Sequence, residues 1–230
     1  LQHQEITLLD DYDLPLMERA NQRMLENMHS QLAHQASHDD LTGLINRKEF
    51  ERQIDLALKT ARTNEAQHAL LYIDLDQFKI VNNTSGHTAG DALLKQIGET
   101  LTVTLDEEKD VQISRLGGDE FGVLLQDVDT AHARAMCEQL LQEVREQRFD
   151  WEGKMYSQSA SMGLVFLDSS TESADTALRH ADEACFSAKD AGRNRLQEYE
   201  LNDSRMMQRH GIMEGATQLD KALDDERLGL

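Results

Sequence analysis

The sequence predicts an α/β protein of the α+β type, with a central, mainly antiparallel sheet flanked by helices. Candidate helices and strands alternate along the chain in the order αβααββαβ(β)αβ, and two strand pairs are separated only by short turns that contain glycine. Such turns make antiparallel hairpins, whereas helices between strands can cover the faces of a sheet. Both observations together favour one sheet with helices packed on it.

The composition agrees with a helix-rich protein of this class. The chain has 230 residues, of which 39% are hydrophobic, 5% are aromatic and one is proline. No apolar run approaches the roughly 18 residues that a membrane span requires, so we expect no membrane contact in this segment. Cys137 and Cys185 lie far apart without metal-like spacing. We therefore expect reduced thiols in a cytoplasmic protein.

The formal net charge of −20 limits the partners that the protein can bind. A field of this sign opposes nonspecific binding to nucleic acid, and we expect no nucleic-acid partner. An anionic substrate would need local cations or a bound metal ion. A phosphate site must therefore be sought in particular residues.

The first predicted element is a linker helix within residues 1–36. Apolar residues recur at helical spacing from Leu14 to about Gln35. A short parallel coiled coil and a helix folded back on its own domain both fit this stripe, because fewer than three clean heptads are present.

The remaining elements follow from hydrophobic periodicity and turn residues. Helices are predicted at about residues 46–62, 89–102, 129–147 and 174–190, with a short helix before the second of these. Strands are predicted at about 68–76, 111–116, 120–125 and 195–200, with a further hairpin that turns at Glu152–Gly153.

Two aspartates lie where the first predicted strand ends. Asp74 is a candidate metal ligand, because a carboxylate at the end of a strand is well placed for metal-assisted phosphoryl chemistry. Asp76 fits the same pattern, but it could instead cap the helix that follows.

A second acidic pair, Asp119 and Glu120, follows Gly117–Gly118 at a predicted hairpin tip. On a regular strand, adjacent side chains point to opposite faces, but at a glycine turn both carboxylates could approach one hard cation such as Mg²⁺. The glycines would also allow a bulky ligand to come close to the backbone. Taken alone, the hairpin is equally compatible with a solvated acidic turn.

Several cations and one amide could complete a phosphate or base site. Lys79 and Asn82 share a helical face, while Lys189 lies in the last turn of a predicted helix, with Arg193 just beyond it. Lysine and arginine bind phosphate as a point charge and a planar fork, respectively. Each of them alone also fits an exposed charge near a helix end.

Four separated motifs together resemble the GGDEF domain of diguanylate cyclases. They are DDLTGLINR, DLDQFKIVNNTSGHTAGDALL, RLGGDEF and ADEACFSAKDAGRNR, and the resemblance covers about residues 37–200. It implies a cyclase/polymerase-palm-like fold. It also implies condensation of two GTP molecules into cyclic di-GMP by a homodimer, in which each domain presents one GTP.

The resemblance implies a role for each matched residue. Asp74 and Asp119 would hold two Mg²⁺ or Mn²⁺ ions with the backbone carbonyl of Leu75, and Glu120 would assist metal binding or deprotonate the attacking 3′-hydroxyl. The substrate-binding positions would be Phe78, Lys79, Lys189 and Arg193 for the phosphates, Asn82 and Asp91 for the guanine, and Gly117 and Gly118 for room around the nucleotide.

One departure from the family pattern concerns feedback inhibition. Family members that are inhibited by their product carry an Arg-x-x-Asp motif, and the matching positions here are Glu108 and Val111. We therefore expect no inhibition through that site.

The ends of the chain suggest a longer protein. The sequence starts without methionine, and residues 201–230 resemble the connector to an EAL phosphodiesterase domain. We expect an upstream sensor and a downstream EAL neighbour. In that setting, the alternative function is a catalytically silent GTP-binding module that controls the phosphodiesterase.

Overall fold

The computed structural model of the chain describes residues 22–25, 28 and 34–200. The helices of the domain are α1 (Arg47–Asn64), α2 (Lys79–Ser85), α3 (His87–Thr104), α4 (Thr130–Glu146) and α5 (Ala174–Asp190). The strands are β1 (Ile45–Asn46), β2 (His68–Leu75), β3 (Val111–Gly117), β4 (Glu120–Leu125), β5 (Arg148–Trp151), β6 (Lys154–Ser157), β7 (Ala160–Leu167) and β8 (Arg195–Glu198).

Six of the strands form one sheet in the order β1-β3-β4-β2-β7-β8. The two outer pairs, β1–β3 and β7–β8, are parallel, and the three inner pairs are antiparallel. Strands β5 and β6 form a separate two-stranded sheet. The predicted fold class, a mainly antiparallel sheet flanked by helices, is therefore confirmed.

The core consists of two apolar layers on opposite faces of strand β2. Leu71 and Ile73 face the layer that contains apolar residues of α3 and α4, whereas Leu70 and Tyr72 face the layer that contains those of α1 and α5. This alternation follows from the two-residue period of a strand whose two faces are both covered. The end of β2 is thereby held rigidly in the middle of the sheet.

The helix boundaries follow from local capping. The side chain of Ser173 accepts a hydrogen bond from the Thr176 N–H at the start of α5, and Asp129 does the same for the start of α4. Just beyond α5, Gly192 adopts a φ of 113°, which a side chain would disfavour. The predicted bounds of this helix, 174–190, are confirmed.

Two parts of the sheet were not predicted. Strand β1 has only two residues, which is too short for a hydrophobic pattern to reveal. The hairpin at Glu152–Gly153 was predicted, but its separation from the main sheet was not. Hydrophobic alternation identifies strands, but it does not say which of them pair.

The predicted linker helix lies largely outside the described residues. Residues 22–25, 28 and 34–37 are helical, and the side chains of Met24, Leu25 and Met28 are 63%, 57% and 46% exposed. About half or more of each of these three side chains is therefore exposed to solvent. The predicted connector, residues 201–230, also lies outside it, and the division at residues 36 and 200 stays a prediction.

Within the described ranges, no helix is both long and apolar enough to span a bilayer. Cys137 and Cys185 are both buried, and neither forms a disulfide. Burial raises the pKa of the Cys137 thiol to about 12, so this thiol stays protonated and unreactive near neutral pH.

Candidate functional site

The two predicted acidic motifs meet where the inner strand β2 ends and its neighbour β4 begins. We call this place, formed by Asp74, Asp119 and Glu120, the acidic edge. Asp74, near the end of β2, is the direct cross-strand partner of Glu120, the first residue of β4. Directly opposite residues of an antiparallel pair carry their side chains on the same face, with Cβ atoms about 5 Å apart. The sheet register therefore brings together two carboxylates that are 46 positions apart in the sequence.

Helix α5 supplies the positive charge at this edge. The Nζ atom of Lys189 lies 2.6 Å from Oδ2 of Asp74, with side-chain exposures of 30% and 14%, respectively. Gly163 of β7 makes this approach possible, since a Cβ atom there would collide with the Ala181 carbonyl of α5. The predicted phosphate-binding lysine is thus brought into the acidic site.

The electrostatics of the site favour a cation next to Asp74. Burial raises the pKa of Asp74, Lys189 opposes that rise, and the charges of Asp119 and Glu120 add to it. Burial acts to lower the pKa of Lys189, but Asp74 outweighs it, so the pKa of the lysine is raised. The carboxylates therefore repel one another in a partly desolvated place, and a positive charge relieves that repulsion.

The hairpin that carries Asp119 and Glu120 depends on its glycines. Gly117 and Gly118 have φ angles of 142° and 53°, and the pairing of β3 with β4 shifts register between Arg115 and Gly117. The backbone carbonyl of Asp119 accepts a hydrogen bond from the Leu75 N–H at 3.2 Å. The hairpin tip is thereby tied to the end of β2.

A second attachment joins the hairpin to the start of the domain. The guanidinium of Arg115 donates to the Gly118 carbonyl at 2.8 Å and lies 3.0 Å from the carboxylate of Asp39. Asp39 also accepts hydrogen bonds from the N–H and hydroxyl of Thr42. Burial would raise the pKa of Asp39, but the bonds from Thr42 and Arg115 lower it. The DDLTGL motif therefore supports the glycine turn.

Tyr72 lies beneath the acidic pair. It is buried on β2, where its cross-strand partners are Gly122 and Gly163. Burial, followed by the negative charge of Glu120, raises the pKa of the phenol. The hydroxyl therefore stays protonated at neutral pH.

The predicted guanine-reading residues lie on the adjacent helix pair. The side chain of Asn82 on α2 occupies the space beside Gly90 that a Cβ atom would fill, and Asp91 is the next residue on α3. Asn82 and Asp91 are therefore brought together. Phe78 also contacts Gly90 and is buried in the core, so its side chain is structural.

The two remaining predicted cations are exposed. Lys79 is the first residue of α2, and no contact places it against the carboxylates. Arg193 lines a cleft of about 370 Å³ together with Gln77 and Ile80 near the start of α2. The structure thus places Arg193 near the start of α2, and among the described residues Lys79 forms no ion pair with the carboxylates.

Asp76 does not cap a helix, so that interpretation was wrong. Residue 78 occupies the cap position of α2, and no side chain makes a cap hydrogen bond there. Asp76 is 8% exposed, and its carboxylate accepts hydrogen bonds from Ser159, Ser161 and the backbone of Asn194. Both of its oxygen atoms are therefore engaged by donors of the protein itself.

The donor set at the acidic edge suits a hard divalent cation. Within the described ranges, no three His, Cys, Asp or Glu side chains converge closely enough to hold an ion by themselves. Asp74 and Glu120 nevertheless offer oxygen ligands in a place where like charges are crowded. Mg²⁺ typically takes one or two carboxylates and completes its shell with water and substrate phosphate, so the residues present fit it.

The feedback position lies at the opposite end of β3. Glu108 and Val111 line a cleft of about 390 Å³ together with Glu107, Asp110 and Asp127, and His132 contacts the Glu108 carboxylate at 3.3 Å. Among the described residues, no arginine lines this cleft. A dianionic product would therefore meet mainly negative charge there.

Comparison with known proteins defines the class of this domain. Residues 36–195 match the family model described as "Diguanylate cyclase, GGDEF domain". The chain belongs to this family, and the sequence resemblance is confirmed.

Individual relatives are similar over most of the chain. Probable diguanylate cyclase DgcE of Escherichia coli K12 is 42% identical over 170 residues, which is 74% of this chain and 15% of that protein. Cyclic di-GMP phosphodiesterase PdeB of Shewanella oneidensis is 30% identical over 203 residues, or 88% of this chain and 23% of that protein. A solved structure of the GGDEF domain of TpbB from Pseudomonas aeruginosa has a TM-score of 0.69 at 34% identity, covering 74% of this chain and 99% of that one. The chain thus spans less than a quarter of the length of either relative.

Three contributors to the site were missed by sequence reasoning. Arg115 and Tyr72 look like ordinary strand residues, and Gly90 looks like an ordinary helical residue. The only sequence signal was that each lies in or next to a matched motif. Their partners are distant in the sequence, so only the folded structure identifies them.

Proposed function

We propose that this domain is a diguanylate cyclase, which condenses two GTP molecules into cyclic di-GMP and releases two pyrophosphates. The observation that carries the proposal is the meeting of Asp74, Glu120 and Lys189 beside a two-glycine turn. The carboxylates can bind the metal ion of a metal–triphosphate substrate, and the lysine can bind its phosphates.

In this proposal, the acidic residues would bind metal and the basic residues would bind phosphate. Asp74, Asp119 and Glu120, with the Leu75 carbonyl, would hold Mg²⁺ or Mn²⁺. Bound metal would supply charge neutralisation of the phosphates and a lowered pKa of the attacking hydroxyl. Lys189 would exchange its contact with Asp74 for a phosphate oxygen once the metal charge enters. The remaining substrate contacts would be the backbone of Phe78 with Lys79 and Arg193 for the phosphates, Asn82 and Asp91 for the guanine, and Gly117 and Gly118 for room around the nucleotide.

The bond changes define the chemistry that the site must support. The 3′-oxygen of one GTP attacks the α-phosphorus of the other, a new P–O bond forms, and the bond to the β-phosphate breaks with loss of pyrophosphate. Glu120 accepts the hydroxyl proton, and the same exchange in the opposite direction closes the ring. Because each domain holds one GTP, catalysis requires two chains to face each other as a homodimer.

Product formation by the 230-residue chain tests the proposal. The chain is incubated with GTP and Mg²⁺ over a series of protein concentrations, and the products are separated by chromatography and identified by mass. We expect cyclic di-GMP, with a specific activity that rises with protein concentration as dimers form. A chain that binds GTP but yields no cyclic di-GMP at any concentration would contradict the proposal.

A second candidate is a GTP-binding module that regulates an adjacent phosphodiesterase without turnover. The observation in its favour is the similarity over 203 residues to a protein named as a cyclic di-GMP phosphodiesterase. Under this second candidate, the longer protein would have an EAL neighbour, an upstream sensor and a cytoplasmic location. Phosphodiesterase activity of that protein would then change when GTP is added, and an unchanged activity would rule the candidate out.

A further inference from the structure

Asp76 is a buried carboxylate beside the site, and both of its oxygen atoms accept hydrogen bonds from protein groups. Its Oδ1 atom accepts from the Ser161 hydroxyl at 2.7 Å, and its Oδ2 atom accepts from the Ser159 hydroxyl at 2.8 Å and the Asn194 N–H at 3.1 Å. Its backbone N–H also donates to the Ser159 carbonyl, and its carbonyl accepts from Gln158. A buried carboxylate with all of these bonds satisfied fixes the groups around it.

The segment that Asp76 holds is conformationally unusual. Gly192, Arg193 and Asn194 have consecutive φ angles of 113°, 62° and 48°. Two of these residues carry side chains, which disfavour positive φ, so the turn persists only where its surroundings over-determine it. The Arg193 N–H is bonded to the Ala188 carbonyl at the end of α5, and the Asn194 N–H is bonded to Asp76. These two bonds attach the turn at both sides.

The position of Asp76 explains why this attachment matters for the site. It lies two residues after Asp74, just beyond the end of the same strand, while Arg193 lies four residues after Lys189. Asp74 and Lys189 are already joined by their 2.6 Å contact. The Asp76–Asn194 bond therefore forms a second bridge between the same two segments, on the side where Arg193 lines the cleft.

We propose that Asp76 is a positioning residue that fixes the Gly192–Asn194 turn, and thereby aims Arg193 at the phosphates of bound GTP. This inference rests on the proposed function, because it assumes a triphosphate beside Lys189 and Arg193. It adds a residue that touches neither substrate nor metal and acts only through another side chain. The hydroxyls of Ser159 and Ser161 orient the Asp76 carboxylate, and they therefore support the turn indirectly.

The chemistry of the three donors distinguishes the possible substitutions. In Asp76→Asn, the amide oxygen can still accept from Ser159 and Asn194, while the amide NH₂ turns to the Ser161 hydroxyl, which can rotate to accept. Asp76→Ala removes both side-chain acceptor atoms and leaves the Asn194 N–H without its carboxylate partner. Asp76→Ser is too short to reach Asn194, but it leaves polar room for water.

A thermodynamic cycle with Arg193 tests the proposal through binding alone. The ligand is the α,β-methylene analogue of GTP with Mg²⁺, which cannot react, and its Kd is measured by calorimetry. We expect Asp76→Ala and Arg193→Ala each to weaken binding about tenfold, and the double variant to be no weaker than Arg193→Ala within about twofold. Asp76→Asn should bind within about threefold of the wild type, and Ser161→Ala should behave similarly, because both retain the acceptor for Asn194.

The outcomes separate this inference from the proposed function. Melting curves show whether each variant is folded at the assay temperature, and Asp76→Ser replaces Asp76→Ala in the cycle if the alanine variant is not. Losses that multiply in the double variant, or a truncated Asp76 that binds like the wild type, would overturn the positioning role while leaving the proposed function intact. A wild-type chain that does not bind the analogue would contradict both.

Discussion

The two ends of strand β3 both carry acidic residues, but they differ in burial and counter-charge. At the Gly117 end, Asp74 and Glu120 are opposed across the sheet, and Asp74 is 14% exposed and in contact with Lys189. At the Val111 end, Glu107 and the neighbouring acids line an open cleft, and the exposed Lys109 is the nearest lysine along the chain. Acidic composition alone therefore does not make a nucleotide site. Partial burial and a lysine held by the fold distinguish the first end from the second.

The largest expected effect comes from neutralising one acid at each end. Glu120→Gln keeps the shape of the side chain but removes the charge and the base. We expect cyclic di-GMP formation to fall by more than about a hundredfold, because removal of one preorganised charged group commonly costs this much. Glu107→Gln, the matched control, should change turnover by less than about twofold. Equal losses from the two substitutions would show that overall charge, and not the site, controls activity.

The lysines at the two ends give the next largest contrast. Lys189→Ala should raise the KM for GTP about tenfold or more, because it removes the charge that both Asp74 and the phosphates require. Lys189→Arg should retain part of the affinity, since it restores the charge with a different shape. Lys109→Ala, at the other end, should leave KM unchanged. Initial-rate measurements over a range of GTP concentrations distinguish these outcomes, and an unaffected KM in Lys189→Ala would remove the lysine from the site.

A smaller effect is expected where the hairpin is attached to the start of the domain. The Asp39–Arg115 pair has side-chain exposures of 23% and 14%, so a double-mutant cycle in urea should give a coupling of about 1–2 kcal/mol. The exposed pair Arg47–Glu51 is the control and should couple far more weakly. Because the pKa of Asp39 is lowered from 3.8, its contribution is present at neutral pH and is lost as the pH falls below this value. A coupling no larger than that of the control would contradict the support that we assign to DDLTGL.

The smallest effect is expected from adding product. Cyclic di-GMP carries two negative charges, and the cleft at Glu108 and Val111 is lined mainly by acidic side chains where it is charged. We expect added product to change the initial rate of the wild-type chain by less than about twofold. The double variant Glu108→Arg plus Val111→Asp introduces the Arg-x-x-Asp motif and should become sensitive to product. Strong inhibition of the wild-type chain would place feedback at a different surface.

Much of the fold could be predicted because local signals and packing agree. Helix α5 has a serine cap, an apolar stripe and a glycine stop, and its predicted bounds match the structure. The two-residue β1 and the separate β5–β6 sheet could not be predicted, since short strands carry no periodic signal and pairing partners are set by the tertiary structure.

The candidate site, like the fold, could be predicted from the sequence only in part. Asp74, Glu120 and Lys189 were predicted from their motifs, but their meeting depends on a strand register that includes an irregularity between Arg115 and Gly117. The capping interpretation of Asp76 was wrong, because its actual partners follow it by more than 80 positions in the sequence. Side chains that act through distant partners leave no local pattern to read.

The most direct test of the acidic edge is the stoichiometry of turnover measured beside GTP binding. The account predicts two pyrophosphates for each cyclic di-GMP from the wild-type chain. It also predicts that Glu120→Gln still binds GTP but releases neither product above background. Pyrophosphate released without cyclic di-GMP, or undiminished synthesis by Glu120→Gln, would contradict the assignment of this edge as the catalytic site.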